Sequence, residues 1–214
     1  MSKTIGLDNE DVVKKPLDAH KFKKGTTSRI TIIDPKKIVM DDIHYVEGVG
    51  YFSCKQGICC ERSNPPKQKF ATLIAIYETD KNGKLVDKFG VANIQVKPWT
   101  FSGDKFGTIQ GIHREYSLTD CDLKVKCTDE QYQKLEFLPT KESLYKSNDK
   151  FKKYIDSEVK KLESRLSSIL GKDLSVEVLQ EKLGDGEELK AENGPTDLDP
   201  DATVDNIASV FEDE

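Results

Sequence analysis

The chain has 214 residues, 36% hydrophobic and 33% charged, with a net charge of −5. That is enough chain for one substantial core with appendages, and too few apolar residues for all of it to lie inside that core. No apolar run is long enough to span a bilayer and the first residues hold no apolar export core. A cytoplasmic, unsecreted protein is therefore expected, its five cysteines serving as thiols or metal ligands rather than disulfides.

The charge is unevenly divided. Residues 184–214 hold eleven acids and one base, Lys190, and so carry −10. The remaining 32 bases and 27 acids give residues 1–183 a charge of +5. A basic body beside an acidic tail suggests a body that faces nucleic acid and a tail that faces protein. A solvating tail on a near-neutral domain is the plainer alternative.

Residues 1–27 read as a flexible basic arm, with Lys14, Lys15, Lys21, Lys23 and Lys24 spaced by Pro16 and Gly25. Residues 28–33 alternate and are rich in β-branched side chains, so a strand is expected. Asp34-Pro35 ends it, and Lys36 and Lys37 follow in the turn. Residues 43–52 read as two short strands pinched at Gly48 and Gly50. Residues 70–77 are apolar on both faces, as in a central strand. Asn82-Gly83 supplies a hairpin turn over 79–84, with 85–96 returning and Pro98 closing that strand before Trp99.

A helix fits 102–116, where Phe106, Ile109, Ile112, His113 and Tyr116 recur at spacings of three and four. In 121–127, Cys121, Leu123, Val125 and Cys127 share one strand face and Asp122, Lys124 and Lys126 the other. Thr128 and Gln131 resemble a capping box opening a short helix. Ile155, Val159, Leu162, Leu166 and Ile169 mark an amphipathic helix that Gly171 stops, and Ser175 starts another carrying Val178, Leu179 and Leu183. These two helices read as an appendage over 140–184 that packs back on the sheet. From 185 onward the acidic, Gly/Pro-punctuated composition is that of a disordered tail. Its end, with Asp205, Ile207, Val210, Phe211, Glu212, Asp213 and Glu214, has the make-up of a peptide ligand for a basic, apolar groove.

Two constellations carry chemistry. His44, Cys54, Cys59 and Cys60 supply four donors, the number that closes a tetrahedral zinc site with no open position for water. The adjacent Cys59-Cys60 pair can ligate together only on a sharply turned backbone, because neighbouring side chains on an extended chain point apart. Buried thiols beside a surface histidine form the alternative. The second constellation interleaves cations and rings: Lys21, Lys23, Lys24, Arg29, Lys36, Lys37, Tyr45, Tyr51, Phe52, Lys67, Lys69, Trp99, Phe101, Lys105, Phe106 and Arg114. Cations along phosphates and rings stacked on bases hold a single strand without sequence preference. Tyr51, Trp99 and Phe101 are the rings expected to be exposed. Asp41, Asp42, Asp120 and Asp122 read as turn and surface residues. With no lysine-bearing phosphate loop and no nucleophile elbow, no enzyme is expected.

The segments HYVEGVGYFSC…CC and CDLKVKCTDEQYQKLEF, with the basic arm and the acidic tail ending near an aromatic, resemble the single-stranded-DNA-binding proteins of tailed bacteriophages. The resemblance implies an α+β chain whose mainly β core, residues 28–139, is an OB-fold-like barrel with a finger-like zinc insertion. It further implies a groove that binds single-stranded DNA, cooperative assembly or homo-oligomerisation, and action in replication, recombination or repair inside an infected host cell. The tail would dock replication proteins such as a polymerase, helicase or primase and compete with DNA for the groove. In some members one histidine and three cysteines hold a structural zinc, the inventory of His44, Cys54, Cys59 and Cys60. A zinc-stabilised protein-interaction or transcription-regulating module is the second expectation.

Overall fold

β4 (Lys67–Tyr77) is the spine of the fold. One edge pairs with β7 (Ile94–Ser102) over Lys69 to Tyr77. The other is shared: β2 (Val39–Val46) takes the first half of β4 and β1 (Thr27–Ile32) the second. β3 (Gly50–Ser53) extends the sheet beyond β2, and β8 (Leu123–Cys127) and β9 (Leu135–Pro139) extend it beyond β1, all antiparallel. β5 (Asp87–Lys88) and β6 (Val91–Ala92) form a separate small hairpin. The helices are α1 (Gly103–Tyr116), α2 (Leu144–Ser147), α3 (Asp149–Leu162), a 3-10 segment (Glu163–Ile169) and α4 (Val176–Leu183). This computed structural model describes residues 17–57, 59–60, 64–80, 85–88, 91–129 and 134–183. The expected turn residues Asn82-Gly83, the helix expected from Thr128, and the tail residues Asp205, Ile207, Val210, Phe211, Glu212, Asp213 and Glu214 lie wholly or partly outside them.

Both faces of β4 are covered, which is why its sequence lacks alternation. Phe70 and Ile74 join Ile30, Ile32, Trp99, Phe101, Leu123 and Val125 in a core closed by Ile109 of α1. On the opposite face Ala71 and Leu73 pack under Leu166 and Leu170, while Ala75, Tyr77 and Ile94 pack under Ile155 of α3. The helical segment thus folds back on the sheet as its apolar spacing implied. Asn148 caps α3, its side chain accepting from the Lys150 and Phe151 amides at 3.0 and 3.2 Å.

The sheet is open rather than a closed barrel: among the described strands β3, β7 and β9 each have a single ladder partner. Pro98 gives a physical reason. It sits inside β7 opposite Leu73 rather than ending the strand. Its carbonyl points to the outer edge, where it accepts from the His20 amide at 2.8 Å. Its nitrogen faces the same way and has no hydrogen to donate, so a continuous ladder cannot run there. Residues 20–26 run from that edge to the end of β8. Gly25 donates to the Cys127 carbonyl at 3.0 Å, and the buried Phe22 ring stands edge-on to Trp99 at 5.5 Å. The arm expected to be loose through residue 27 is therefore a docked strap from His20 onward.

Candidate metal centre and nucleic-acid interface

The donor atoms of His44, Cys54, Cys59 and Cys60 all lie within 4.8 Å of one another. Cys54 Sγ is 3.7 Å from Cys59 Sγ and 3.4 Å from Cys60 Sγ, and Cys60 Sγ is 3.7 Å from His44 Nε2. A tetrahedral zinc with sulfur ligands at 2.3 Å sets sulfur–sulfur separations of about 3.8 Å, so the cluster has nearly the dimensions of a loaded site. His44 Nδ1 donates to the Asn64 carbonyl at 2.8 Å, which leaves Nε2 as the bare nitrogen facing the thiols. The Lys55 amide donates to Cys59 Sγ at 3.2 Å and the Gln56 amide to Cys54 Sγ at 3.4 Å, partners suited to thiolates.

The adjacency of Cys59 and Cys60 is resolved by local backbone. Gln56 and Gly57 take positive φ, 57° and 60°, to form a knuckle, and the Cys60 amide returns to the Gly57 carbonyl at 2.9 Å. Cys59 and Cys60 then lie on a helical turn, where consecutive side chains diverge by about 100° rather than 180°, and both reach one centre. The three thiols crowd one another. The hydrogen bond to Cys54, then desolvation and the neighbouring Cys59, push Cys60 up to about 12. A cation that takes the place of these protons relieves the crowding. The residues fit a structural zinc. Cys121 and Cys127 stand apart as buried core thiols, both raised chiefly by burial.

The expected nucleic-acid residues divide into groups. Tyr51 and Lys69 meet on one face of β2, β3 and β4: the Lys69 ammonium lies 4.9 Å over the Tyr51 ring, and burial pulls its pKa below the ordinary lysine value. Tyr45 tilts against Tyr51 at 5.0 Å, and Lys67 follows two residues along the strand on the same side. A second group gathers where β8 ends. Lys24 bridges to Cys127, Lys105 in the first turn of α1 lies close enough to act on the Cys127 thiol, and Lys21 and Lys23 are exposed on the strap. Lys36 and Lys37 sit in the β1–β2 turn, with Lys37 paired to Glu163 at 2.6 Å. Arg114, in the last turn of α1, donates to Gln110 at 3.1 Å.

Comparisons with protein-family models, with curated proteins and with solved structures find no match.

Three expected contacts are corrected. Trp99 and Phe101 are 3% and 4% exposed and pack on each other at 4.6 Å inside the main core, so neither offers a face to a base. Arg29 is committed to Asp122, its Nε at 2.8 Å from the carboxylate. Asp122, expected on the surface, is fully buried. Strand alternation misled there because Asp122 precedes β8 and does not follow its pleat. Of the other expected rings Phe52 is buried, and Tyr45 stands opposite Tyr51 across the glycine-pinched hairpin. Among the described residues no helix is long and apolar enough to cross a membrane.

Proposed function

We propose that this chain is a non-enzymatic single-stranded-DNA-binding protein. It coats the strand without sequence preference during replication, recombination or repair, and its acidic tail recruits partner proteins such as a polymerase, helicase or primase. The observation that carries this reading is the Tyr45–Tyr51 ring pair bordered by Lys69 and Lys67 beside the His44/Cys54/Cys59/Cys60 clip. Rings stack on bases whatever their identity, and lysines hold the phosphates. The strap lysines and Lys105 form a second, separate cationic group at the end of β8. Zinc, held by one imidazole and three thiolates, stiffens the β2–β3 hairpin that presents the rings. Residues 184–214, at −10, offer the basic surface a polyanion from the same molecule.

A salt titration of oligothymidylate binding tests this. The association constant falls as a power of the salt concentration, with a slope near −0.7 for each phosphate neutralised. Absence of binding at low salt, or a preference for duplex, overturns the reading. Deleting residues 185–214 tightens binding several-fold, the more so at low salt; an unchanged constant removes the tail from the competition.

A further inference from the structure

The same clip that gathers the metal ligands is the floor on which the last helix rests. Val46, Phe52 and Cys59 form one buried cluster with Leu179 and Leu183 of α4, and Cys54 and Leu174 pack against it. Cys59 is thus a ligand candidate and a packing surface at once. The chain leading into α4 is laid along β3: the Lys172 amide donates to the Tyr51 carbonyl and the Ser53 amide to the Lys172 carbonyl, both at 3.0 Å. Lys172 Nζ donates to the Val49 carbonyl at 3.0 Å, and Lys55, beside Cys54, pairs with Asp173. α4 has eight residues, too few to persist as a helix without a partner surface.

The knuckle under it is tied to the same sulfurs. Gln56 holds φ at 57°, a left-handed conformation that a residue with a Cβ keeps only when its surroundings enforce it. Here the surroundings are the ligand sulfurs: the Gln56 amide donates to Cys54 Sγ at 3.4 Å and the Cys59 thiol to the Gln56 carbonyl at 3.7 Å, so the conformation depends on how those sulfurs are held together.

We infer that metal occupancy of the His44/Cys54/Cys59/Cys60 clip governs the docking of residues 171–183, so that the clip is a latch for the root of the acidic tail. This rests on the proposed metal site and adds to it a regulated element. When the clip is loaded, Cys59 and Phe52 are held as the seat of Leu179 and Leu183. When it is emptied the knuckle relaxes, the seat is lost and residues 171–183 come away while α3 and the sheet beneath it stay folded, since Ile155 and Leu166 pack in separate clusters. The docked segment runs beside Tyr51, and the Leu170 carbonyl accepts from Lys69 at 3.3 Å. The latch therefore also sets how closely the tail is tethered to the candidate DNA surface. Linkage makes the coupling reciprocal: docking of α4 tightens metal binding.

Amide hydrogen exchange on the full chain tests this, comparing zinc-loaded protein with protein stripped by a chelator under reducing conditions, with elemental analysis of each sample. The expected result is that amides in 176–183 lose protection about tenfold or more, while those of α3 and β1 change by less than about twofold. Unchanged protection of 176–183 after verified metal removal overturns the latch and leaves the metal site standing. Uniform loss across the chain overturns it as well. Samples that hold no zinc under any condition overturn the metal site itself, which elemental analysis alone reports. As the reciprocal arm, Leu179→Ala lowers zinc affinity at least about threefold in competition with a chromophoric chelator, whereas Ile155→Ala leaves it within about twofold. Equal effects of the two variants, or none from Leu179→Ala, overturn the proposal.

Discussion

Arg29 on β1 and Asp122 at the approach to β8 meet at 2.8 Å, and the carboxylate they share is the junction of the fold. Asp122 also accepts from the Thr31 hydroxyl at 2.5 Å and from the Leu144 amide at 3.0 Å, while the Tyr77 and Thr31 hydroxyls lie 2.8 Å apart. The guanidinium donates a further bond to the Glu142 carbonyl at 3.1 Å. One buried anion thereby ties β1, β4, β8 and the first residue of α2. A buried charge held this way is stable because its lone pairs are satisfied, and removing one partner exposes the full desolvation cost.

Arg29→Ala therefore costs about 3–5 kcal/mol in urea unfolding, because Asp122 is left as an uncompensated buried charge. A double variant, Arg29→Met with Asp122→Leu, loses less than the sum of its single substitutions. Additive losses would mean that the two side chains are not energetically coupled.

The placement of the rings separates two kinds of aromatic substitution. Tyr51→Ala or Tyr45→Ala weakens oligonucleotide binding by about 1–3 kcal/mol for each lost stacking contact while the chain stays folded. Trp99→Ala instead destabilises the core by about 3–5 kcal/mol. Quenching by acrylamide of the single tryptophan's fluorescence should be weak in the free protein and unchanged by bound oligonucleotide. Strong quenching would place Trp99 outside the core.

His20 makes the strap sensitive to acid. Burial first, then the charge of Lys97, hold its pKa down to about 4 against an ordinary 6.5, with Asp18 pulling the other way. Its buried Nε2 has no hydrogen-bond partner among the described residues. Because the folded value lies below the unfolded one, the unfolded chain takes up the proton first as pH falls. The stability that the neutral ring confers is complete above about pH 6.5 and is lost progressively toward pH 4. Between pH 7 and 4.5 the melting temperature of the wild type should drop about 3–5 °C more than that of His20→Gln. Equal drops would show that the strap is not what acid loosens.

Gly171 reports on the close approach of the C-terminal segment to β3. A Cβ there would meet the Phe52 carbonyl carbon and the Ser53 nitrogen at 3.0 Å, both backbone atoms of a paired strand that cannot step aside cheaply. Gly171→Ala should cost about 1–3 kcal/mol and raise exchange in residues 176–183 more than in α3. A neutral substitution would mean that this approach is looser than the geometry here.

Local pattern alone determined much of this protein. The alternation of Leu123, Lys124, Val125 and Lys126 specified β8, the doubly apolar run around Ile74 specified a central strand, and the spacing of Ile155, Val159 and Leu162 specified a helix lying on that strand, although the stretch expected to continue it through Leu166 and Ile169 is a 3-10 segment. His44, Cys54, Cys59 and Cys60 were legible as a set because donor type and number are properties of composition. Tertiary structure decided what depends on which side of a layer a residue faces and on partners far along the chain. Trp99 and Phe101 became core because β7 continues through Pro98 and turns them under α1. Asp122 and Arg29 became a buried pair although 93 residues separate them. Cys59 and Cys60 converge because Gln56 and Gly57 bend the chain, and the surface that keeps Cys59 in place is supplied by Leu179 and Leu183 from the far end of the described fold. Periodicity and composition report a residue's own preferences, whereas burial of a charge or convergence of two thiols is set by what the rest of the chain brings to meet it.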